Sequence, residues 1–577
     1  MSTWINAYES LSEIKKYGDN ALGLFALGLK FGLDDLASIG VDAVTDGSDD
    51  KKLDIVYINS EDGYAVIGQC YFCNNNKESA PSNKASDLNT GLAWLLQRDI
   101  DEIPKRIRSA AINLRECLEN GSIKQLNIWY IHNLPESKNV EDELITVQHT
   151  ATTIIEQCLN NQTIKGNINY KEVGSTTLNE WYEDCKTPIL INTEIELSCL
   201  NGYEINSKDW SAYSTAIDAV DLYRLYKRYR QKIFSANVRD YLGSRSTDSN
   251  INHGIKNTIK SDTDNFWAYN NGLTILTHGY ELNGNKIKLK GLSIVNGAQT
   301  TGAIGSLKNS PKKEVKVQAR FIAVKDDNKG LIENIIRYNN SQNKVEAADF
   351  RSTDRIQKRL KKEFESIPNA EYEGGRRGSV SDVIRRRPNL LSSYSVGQAL
   401  AAFHGEPIVA YNKKAGIWIN NKTYDKLFND NTKAAHIVTC YSLVRAIEDI
   451  KMSLQNKTNL TQGDEKLLDF FRQRGAIYLT TYAVAKCLES IIGRAIPNLF
   501  RVSFGNQCSP SQARNNWKEV LEVIVSFLEH LKPAVEKGLT NMVEIDKAVD
   551  TFRTLITSIR KVHTLGFDDF KDKISPP

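Results

Sequence analysis

Apolar positions change their period several times along the chain, and each change predicts a new element. Residues 20–33 carry a nearly unbroken apolar run, which predicts an amphipathic to apolar helix. A polar turn follows at 46–52 (DGSDDKK), where Gly, Ser and Asp favour a bend. LDIVYI at 53–58 and AVIGQCYF at 65–72 have strand length and composition, and NSEDG at 59–63 joins them as a turn. Beyond a polar loop with Pro81, helical patterns at 87–96 and 103–118 precede another strand, LNIWYIH at 126–132. The order helix, strand, strand, helix, strand predicts a small α/β unit over residues 1–135.

Residues 136–225 read as a connecting α/β region. It holds a helix at 141–159, strand-like runs at 168–173 and 189–197, and a helix over 216–232 with apolar and aromatic residues at three- and four-residue spacings. Between 226 and 395 strands alternate with Asn/Gly-rich turns, an α+β pattern. From 396 to 577 helical patterns dominate, among them 442–452, 478–492 and 520–531. The expected fold is therefore α/β in the N-terminal and central parts, with a mainly α-helical C-terminal domain.

Length agrees with several units, since 577 residues at roughly 150 per domain suggest about four. Apolar residues make up 41% and charged residues 25%, which supplies material for buried cores and argues against general disorder. Lys plus Arg is 74 against 70 for Asp plus Glu, and the resulting +4 excludes a polybasic mode for the whole chain. A local basic groove remains compatible with that sum. The nine cysteines are scattered, odd in number and without disulfide-scaffold spacing. The first residues lack a secretory pattern, and the apolar run at 21–33 is broken by Lys30 and too short to span a bilayer. A soluble cytoplasmic protein with no membrane partner is expected.

Candidate chemistry concentrates in the first unit. Asp54 lies on a strand directly after the acidic turn, Gln69 on the next strand, and Lys84 at the mouth of the following helix. A carboxylate and a carboxamide oxygen suit a hard cation such as Mg²⁺ or Mn²⁺, and an amine can offset charge developing on phosphorus. The competing reading is an acidic turn that solvates a hairpin, with Asp46, Asp49 and Asp50 as turn residues. Cys70 and Cys73 form a CxxC pair, but no second pair or His lies at metal-site spacing, so burial is the expected fate.

The central block adds three unusual segments: ANVRDYLG at 236–243, FWAYNNGLTIL at 266–276, and LSIVNGAQTTGAIG at 292–305 paired with IIRYNNSQNKVEAADFRS at 335–352. Asn271-Gly272 reads as a tight hairpin turn. In IVNGAQTTGAI a strand runs through Asn296-Gly297 into a helix start, an arrangement that exposes backbone N–H groups to an anion. Further on, Arg376, Arg377, Arg385, Arg386 and Arg387 flank a Gly/Ser-containing loop with Tyr372 and Tyr394 nearby. Such residues can neutralise nucleic-acid phosphates and stack on bases. Lys358, Arg359, Lys361 and Lys362 form another basic face on a helix.

The stretch TDGSDDKKLDIVYINSEDGYAVIGQCYF with APSNKASDLNTGLAWLL, and the three central segments in their order, resemble AIPR-type abortive phage infection proteins over roughly residues 20–400. That resemblance implies an antiviral effector with a PD-(D/E)xK nuclease-like, restriction-endonuclease-like N-terminal core. Asp54 and Gln69 match the metal-binding positions of that superfamily, whereas Tyr71 stands where its lysine is expected. Either Lys84 supplies the amine from the helix, or the domain is catalytically dead and serves as a nucleic-acid-binding scaffold. The central block is similar, more distantly, to the nucleotide-binding domain of ParB partition proteins. By that analogy Arg239, Asn296, Gly297, Gln299, Asn340 and Gln342 would surround a nucleoside triphosphate, although Gln299, Thr300 and Thr301 replace phosphate-binding arginines and Asn339 replaces a metal-binding Glu. The implied partners are nucleic acid, DNA ahead of RNA, and a second copy or a partner defence protein.

Overall fold

The helix Ala21–Phe31 is apolar on every side and buried from Ala21 to Leu29, so it must lie between other elements. In the computed structural model it backs a four-stranded sheet. The structure describes residues 4–158 apart from 34, 46, 48 and 76, then 164, 167–186, 191–229, 233–234, 255, 258–259, 261–311, 315–325, 331–336 apart from 333, 339, 351, 354–372, 374, 389–536, 538–562 and 565–574.

The first sheet comprises β1 (Ile55–Asn59), β2 (Tyr64–Tyr71), β3 (Gln125–His132) and β4 (Ile168–Val173), side by side in that order. β1 runs antiparallel to β2, while β2, β3 and β4 are parallel. Helices Ser82–Leu96, Lys105–Glu119 and Lys138–Cys158 pack on one face, over residues such as Val56, Ile67 and Ile128. The Ala21–Phe31 and Ser175–Lys186 helices cover the other face, over Ile55, Val66, Cys70 and Ile131. A Cβ on Gly23 would fall 2.1 Å from Ile55 Cδ1 and 2.7 Å from Cys70 Sγ, so only glycine lets that helix lie directly behind β1 and β2. The sequence order of elements up to 132 is realised. Its first predicted helix past Pro81 starts earlier, at Ser82, because the proline fixes the entry and Ser82 opens the first turn.

A second, seven-stranded sheet contains β5 (Ile191–Ser198), β6 (Tyr203–Asn206), β7 (Trp210–Asp218), β8 (Leu273–Thr277), β9 (Gly279–Asn283), β10 (Lys286–Asn296) and β11 (Lys316–Val324). Its order is β5-β10-β8-β11-β7-β6, with β9 paired to β10; β8 and β11 are parallel and the other pairs antiparallel. Residues 136–225 are thus shared between the two sheets, β4 joining the first and β5 to β7 the second. Ala216–Asp218 belong to β7 rather than to the helix expected from 216. The alternation in WSAYSTAID pairs along β11 down to Asp218, and the helix begins only at Ala219.

The C-terminal region is helical, as expected, and its core runs from Leu360 to Ile574. Its main helices are Arg355–Phe364, Ser393–Phe403, Ala434–Gln455, Ala476–Ile492, Pro510–Ile524 and Met542–Val562. After Ile524 the chain tightens into a 3-10 stretch, Val525–Ala534, that contains Pro533. No helix among the described residues is long and apolar enough to cross a membrane.

Buried charges tie the first unit to the helical region. Asp35 caps the helix Leu36–Ala43 through the Ser38 N–H, and both of its oxygens accept from Arg445 Nη2 at 2.6 Å. The Ser395 hydroxyl also donates to Asp35. Arg445 Nη1 donates to Glu448 at 2.8 Å, and Glu448 accepts from the Ser38 hydroxyl. Burial raises the Asp35 carboxyl, but the Arg445 charge and these hydrogen bonds outweigh it and leave Asp35 below the ordinary carboxylate value.

Candidate active site at the edge of the first sheet

Parallel strands of an open α/β sheet present their carboxyl ends along one edge, where ligands of such sheets bind. Gln69 and Tyr71 stand at that end of β2, Tyr130 and His132 at that end of β3, and Glu172 on β4. Asp54, just before the antiparallel β1, reaches the same edge. Its backbone N–H donates to Gly68 O at 3.1 Å, and its Oδ2 accepts from the Cys70 N–H at 2.6 Å. The structure therefore brings Asp54 against the two residues that bracket Gln69.

Gln69 is 4% exposed, and its Oε1 has no hydrogen-bond partner among the described residues. Tyr130, its neighbour in register on β3, is fully buried, and its hydroxyl also lacks a partner among the described residues. Burial, followed by the nearby charges of Tyr71, Glu172, Cys70 and Asp54, pushes the Tyr130 hydroxyl well above its ordinary range, so it stays a neutral donor. Leaving two buried polar atoms unsatisfied side by side costs about 1–3 kcal/mol each. A bound oxygen-seeking group or water would recover that cost. The donor chemistry here is one carboxylate and one carboxamide oxygen, which fits a hard divalent cation.

Lys84 occupies the first turn of the Ser82–Leu96 helix, with its Nζ 5.3 Å from the centre of the Tyr71 ring. Lys77 Nζ donates to the Tyr71 hydroxyl at 3.2 Å. Two ammonium groups thus surround the tyrosine that stands two residues beyond Gln69. The acidic turn before Asp54 is knotted on itself: Asp50 accepts from the N–H groups of Gly47 and Lys52, and Asp49 pairs with Lys51. Asp49, Lys51 and Lys52 all have left-handed backbone, with φ of 66°, 57° and 70°. Each such residue stores strain of order 1–3 kcal/mol, a pattern that clusters at functional sites. Cys70 is buried, while Cys73 is half-buried, with its N–H donating to Asn133 Oδ1.

Glu172 is committed to structure. It accepts from His132 Nε2 at 3.0 Å and from the Ser137 N–H with both oxygens at 3.1 Å.

A second cluster forms in the central sheet. β10 ends at Asn296, Gly297 turns with φ 98°, and the helix Ala298–Gly305 begins, which realises the strand–glycine–helix pattern. Asn296 Nδ2 donates to Asn339 O at 2.9 Å, and Arg320 Nη2 donates to Asn339 Oδ1 at 2.6 Å and to Thr274 Oγ1 at 3.1 Å. Gln299 is half-buried in the first turn of the helix, and Thr300 bonds to Asn270 Oδ1. Two of the three distant segments meet on Arg320, which the sequence reading missed. Arg239, Asn340, Gln342, Arg376, Arg377, Arg385, Arg386 and Arg387 lie outside the described residues.

The basic helix face divides on inspection. Lys358, Lys361 and Lys362 are exposed, but Arg359 donates to the carbonyls of Asn429, Asp430 and Thr432. Tyr372 is 3% exposed and donates to Gln357, so it is a core residue and no platform for a base. A depression of about 670 Å³ lined by Phe504, Asn506, Cys508 and Gln512 lies in the helical region, away from both clusters.

The family model of AIPR proteins matches residues 234–542, just over half of the chain. The chain belongs to the AIPR family. Family membership implies a role in anti-phage abortive infection defence. No curated protein and no solved structure matches. The matched AIPR region takes in most of the central sheet, with the Asn296–Arg320–Asn339 cluster, and most of the helical region. Asp54, Gln69 and Lys84 precede it.

Proposed function

We propose that this AIPR protein is a metal-dependent nuclease of phage defence, with its phosphodiester-cleaving site at the edge of the first sheet. The observation that carries the reading is the unsatisfied Gln69 Oε1 beside the Asp54 carboxylate, with Lys84 and Lys77 around Tyr71. Asp54 and Gln69 would hold Mg²⁺ or Mn²⁺, and such a cation supplies an activated water and a counter-charge for the leaving oxygen. Lys84 binds the scissile phosphate and offsets the charge that develops on it. The order of strands and helices supports likeness to the PD-(D/E)xK core, and Lys84 serves in place of the lysine that Tyr71 displaces.

The test is direct. Full-length protein with Mg²⁺ or Mn²⁺ is expected to degrade DNA or RNA, and Asp54→Ala is expected to abolish cleavage with an unchanged circular dichroism spectrum. Equal cleavage by the variant removes the assignment.

One observation favours a second reading, a catalytically inactive nucleic-acid-binding regulator. Among the described residues the candidate metal site offers a single carboxylate, and Tyr71 stands in the lysine position. Wild-type protein that binds but never cleaves would establish it. A nucleotide-dependent switch in the central block rests on Arg320 and the helix start at Gly297, and titration with labelled triphosphates decides it.

A further inference from the structure

Three side chains in the helical region converge without any part in the site above. His404 follows the helix Ser393–Phe403, while His436 and Cys440 lie one turn apart on Ala434–Gln455. Their donor atoms all lie within 4.8 Å of one another. His436 Nε2 is 2.8 Å from His404 Nε2 and 3.4 Å from Cys440 Sγ. We propose that His404 Nε2, His436 Nε2 and Cys440 Sγ form a binding site for a zinc-class divalent cation.

Hydrogen-bond counting supports this. His436 Nδ1 is 2.8 Å from the Val502 carbonyl, which can only accept, so Nδ1 carries the proton. One lone pair then remains on Nε2, and both the His404 N–H and the Cys440 thiol face it. A cation resolves that competition by taking a lone pair from each of the three groups. Tying the far ring nitrogen to a carbonyl is also how metal-bound histidines are held in orientation. The His404 ring is fixed by stacking on Phe500, with centroids 3.9 Å apart.

The donor set selects the ion. Two imidazoles and a thiolate suit zinc and its neighbours, whereas Mg²⁺ and Ca²⁺ require oxygen. Zn–N of about 2.0–2.1 Å and Zn–S of about 2.3 Å place neighbouring donors about 3.3–3.6 Å apart. The sulfur is already at that distance from His436, and the His404 ring must retreat by roughly half an ångström. Burial keeps both imidazoles neutral; metal binding moves the single His404 proton to Nδ1, which leaves the Nε2 lone pair for the cation. Cys440 releases its thiol proton to solvent as the sulfur–metal bond forms. Three protein ligands leave the fourth position to water, and the ion clips the start of one helix to the end of another.

Full-length protein purified without chelator is expected to carry about one zinc per chain by elemental analysis. After chelation, Co²⁺ should restore one equivalent with a thiolate-to-cobalt charge-transfer band in the near ultraviolet. Cys440→Ala should lose the band, and His404→Gln, altered at the half-buried ligand, should lose the stoichiometric metal while keeping its helical spectrum. Asp54→Ala should retain the metal, which separates this site from the sheet edge. Wild-type protein without stoichiometric zinc or cobalt overturns the proposal. So does a Cys440→Ala variant that keeps both the metal and the charge-transfer band.

Discussion

Asp54 and Gln69 were legible as a pair because a hairpin maps sequence separation onto spatial position: two strands and a turn return the chain to itself. Tyr130 and Lys77 were not legible on the same terms. Tyr130 reaches Gln69 only through parallel pairing of β2 with β3, with two helices lying between them in sequence. Lys77 sits in a loop whose path no periodicity records. Arg320 was missed for the first of these reasons, since its contact with Thr274 depends on β11 lying parallel to β8. His436 and Cys440 did carry a local signal, the four-residue spacing on a helix, but their third partner is 32 residues away along the chain. At this scale the two lysines can be told apart. Lys84→Ala is expected to lower cleavage about 10²–10³-fold, the usual cost of removing one positioned donor from a developing charge. Lys77→Ala, whose ammonium is engaged with the Tyr71 hydroxyl, should lower it less. Single-turnover rates on one DNA substrate measure both, and equal losses would remove the distinction.

Helices and strands followed their patterns where period and length agreed, and departed where two patterns overlapped. Residues 216–218 satisfy both a helical spacing and the tail of an alternating strand, and pairing along β11 decides for the strand. At Gly297 the structure narrows what the strand–glycine–helix pattern can mean. A Cβ there would lie 2.2 Å from Leu273 Cδ2 and 2.9 Å from the Gly272 carbonyl oxygen, in a backbone that L-residues avoid. The glycine is therefore required by the fold whether or not an anion binds. Gly297→Ala is expected to destabilise by about 1–2 kcal/mol for the left-handed backbone and about 1–3 kcal/mol for overpacking. Thermal denaturation with and without triphosphate checks this. A variant as stable as the wild type contradicts the packing argument, and stabilisation of the wild type by nucleotide would add a ligand to it.

Across the whole molecule, the junction of the first unit with the helical region was the part least visible in sequence, because Asp35 and Arg445 are 410 positions apart and neither belongs to a motif. Removing one partner of a buried pair leaves an uncompensated charge, at a cost of about 3–5 kcal/mol. Asp35→Asn is expected to lower the melting temperature at neutral pH for that reason. The Asp35 carboxyl is held below its ordinary value in the fold, so its contribution is present above that value and is lost as pH falls through the lowered one. The gap in stability between wild type and variant should therefore begin to narrow as pH falls below about 4, the ordinary carboxylate range, and close only below the lowered value at which folded Asp35 becomes neutral. Melting curves from pH 7 down to pH 3 test the sign, and a gap that does not narrow in acid refutes it. The helix Leu36–Ala43 is what this junction holds at one end. At the other end, Val44 bridges to Ile55, and the Thr45 N–H donates to Asp54 O. A helix of eight residues is a rod of about 12 Å. The Lys451 ammonium bonds to Asp42 near its other end, so the helix is tied to Ala434–Gln455 along its length and joins that helix to the backbone that carries Asp54.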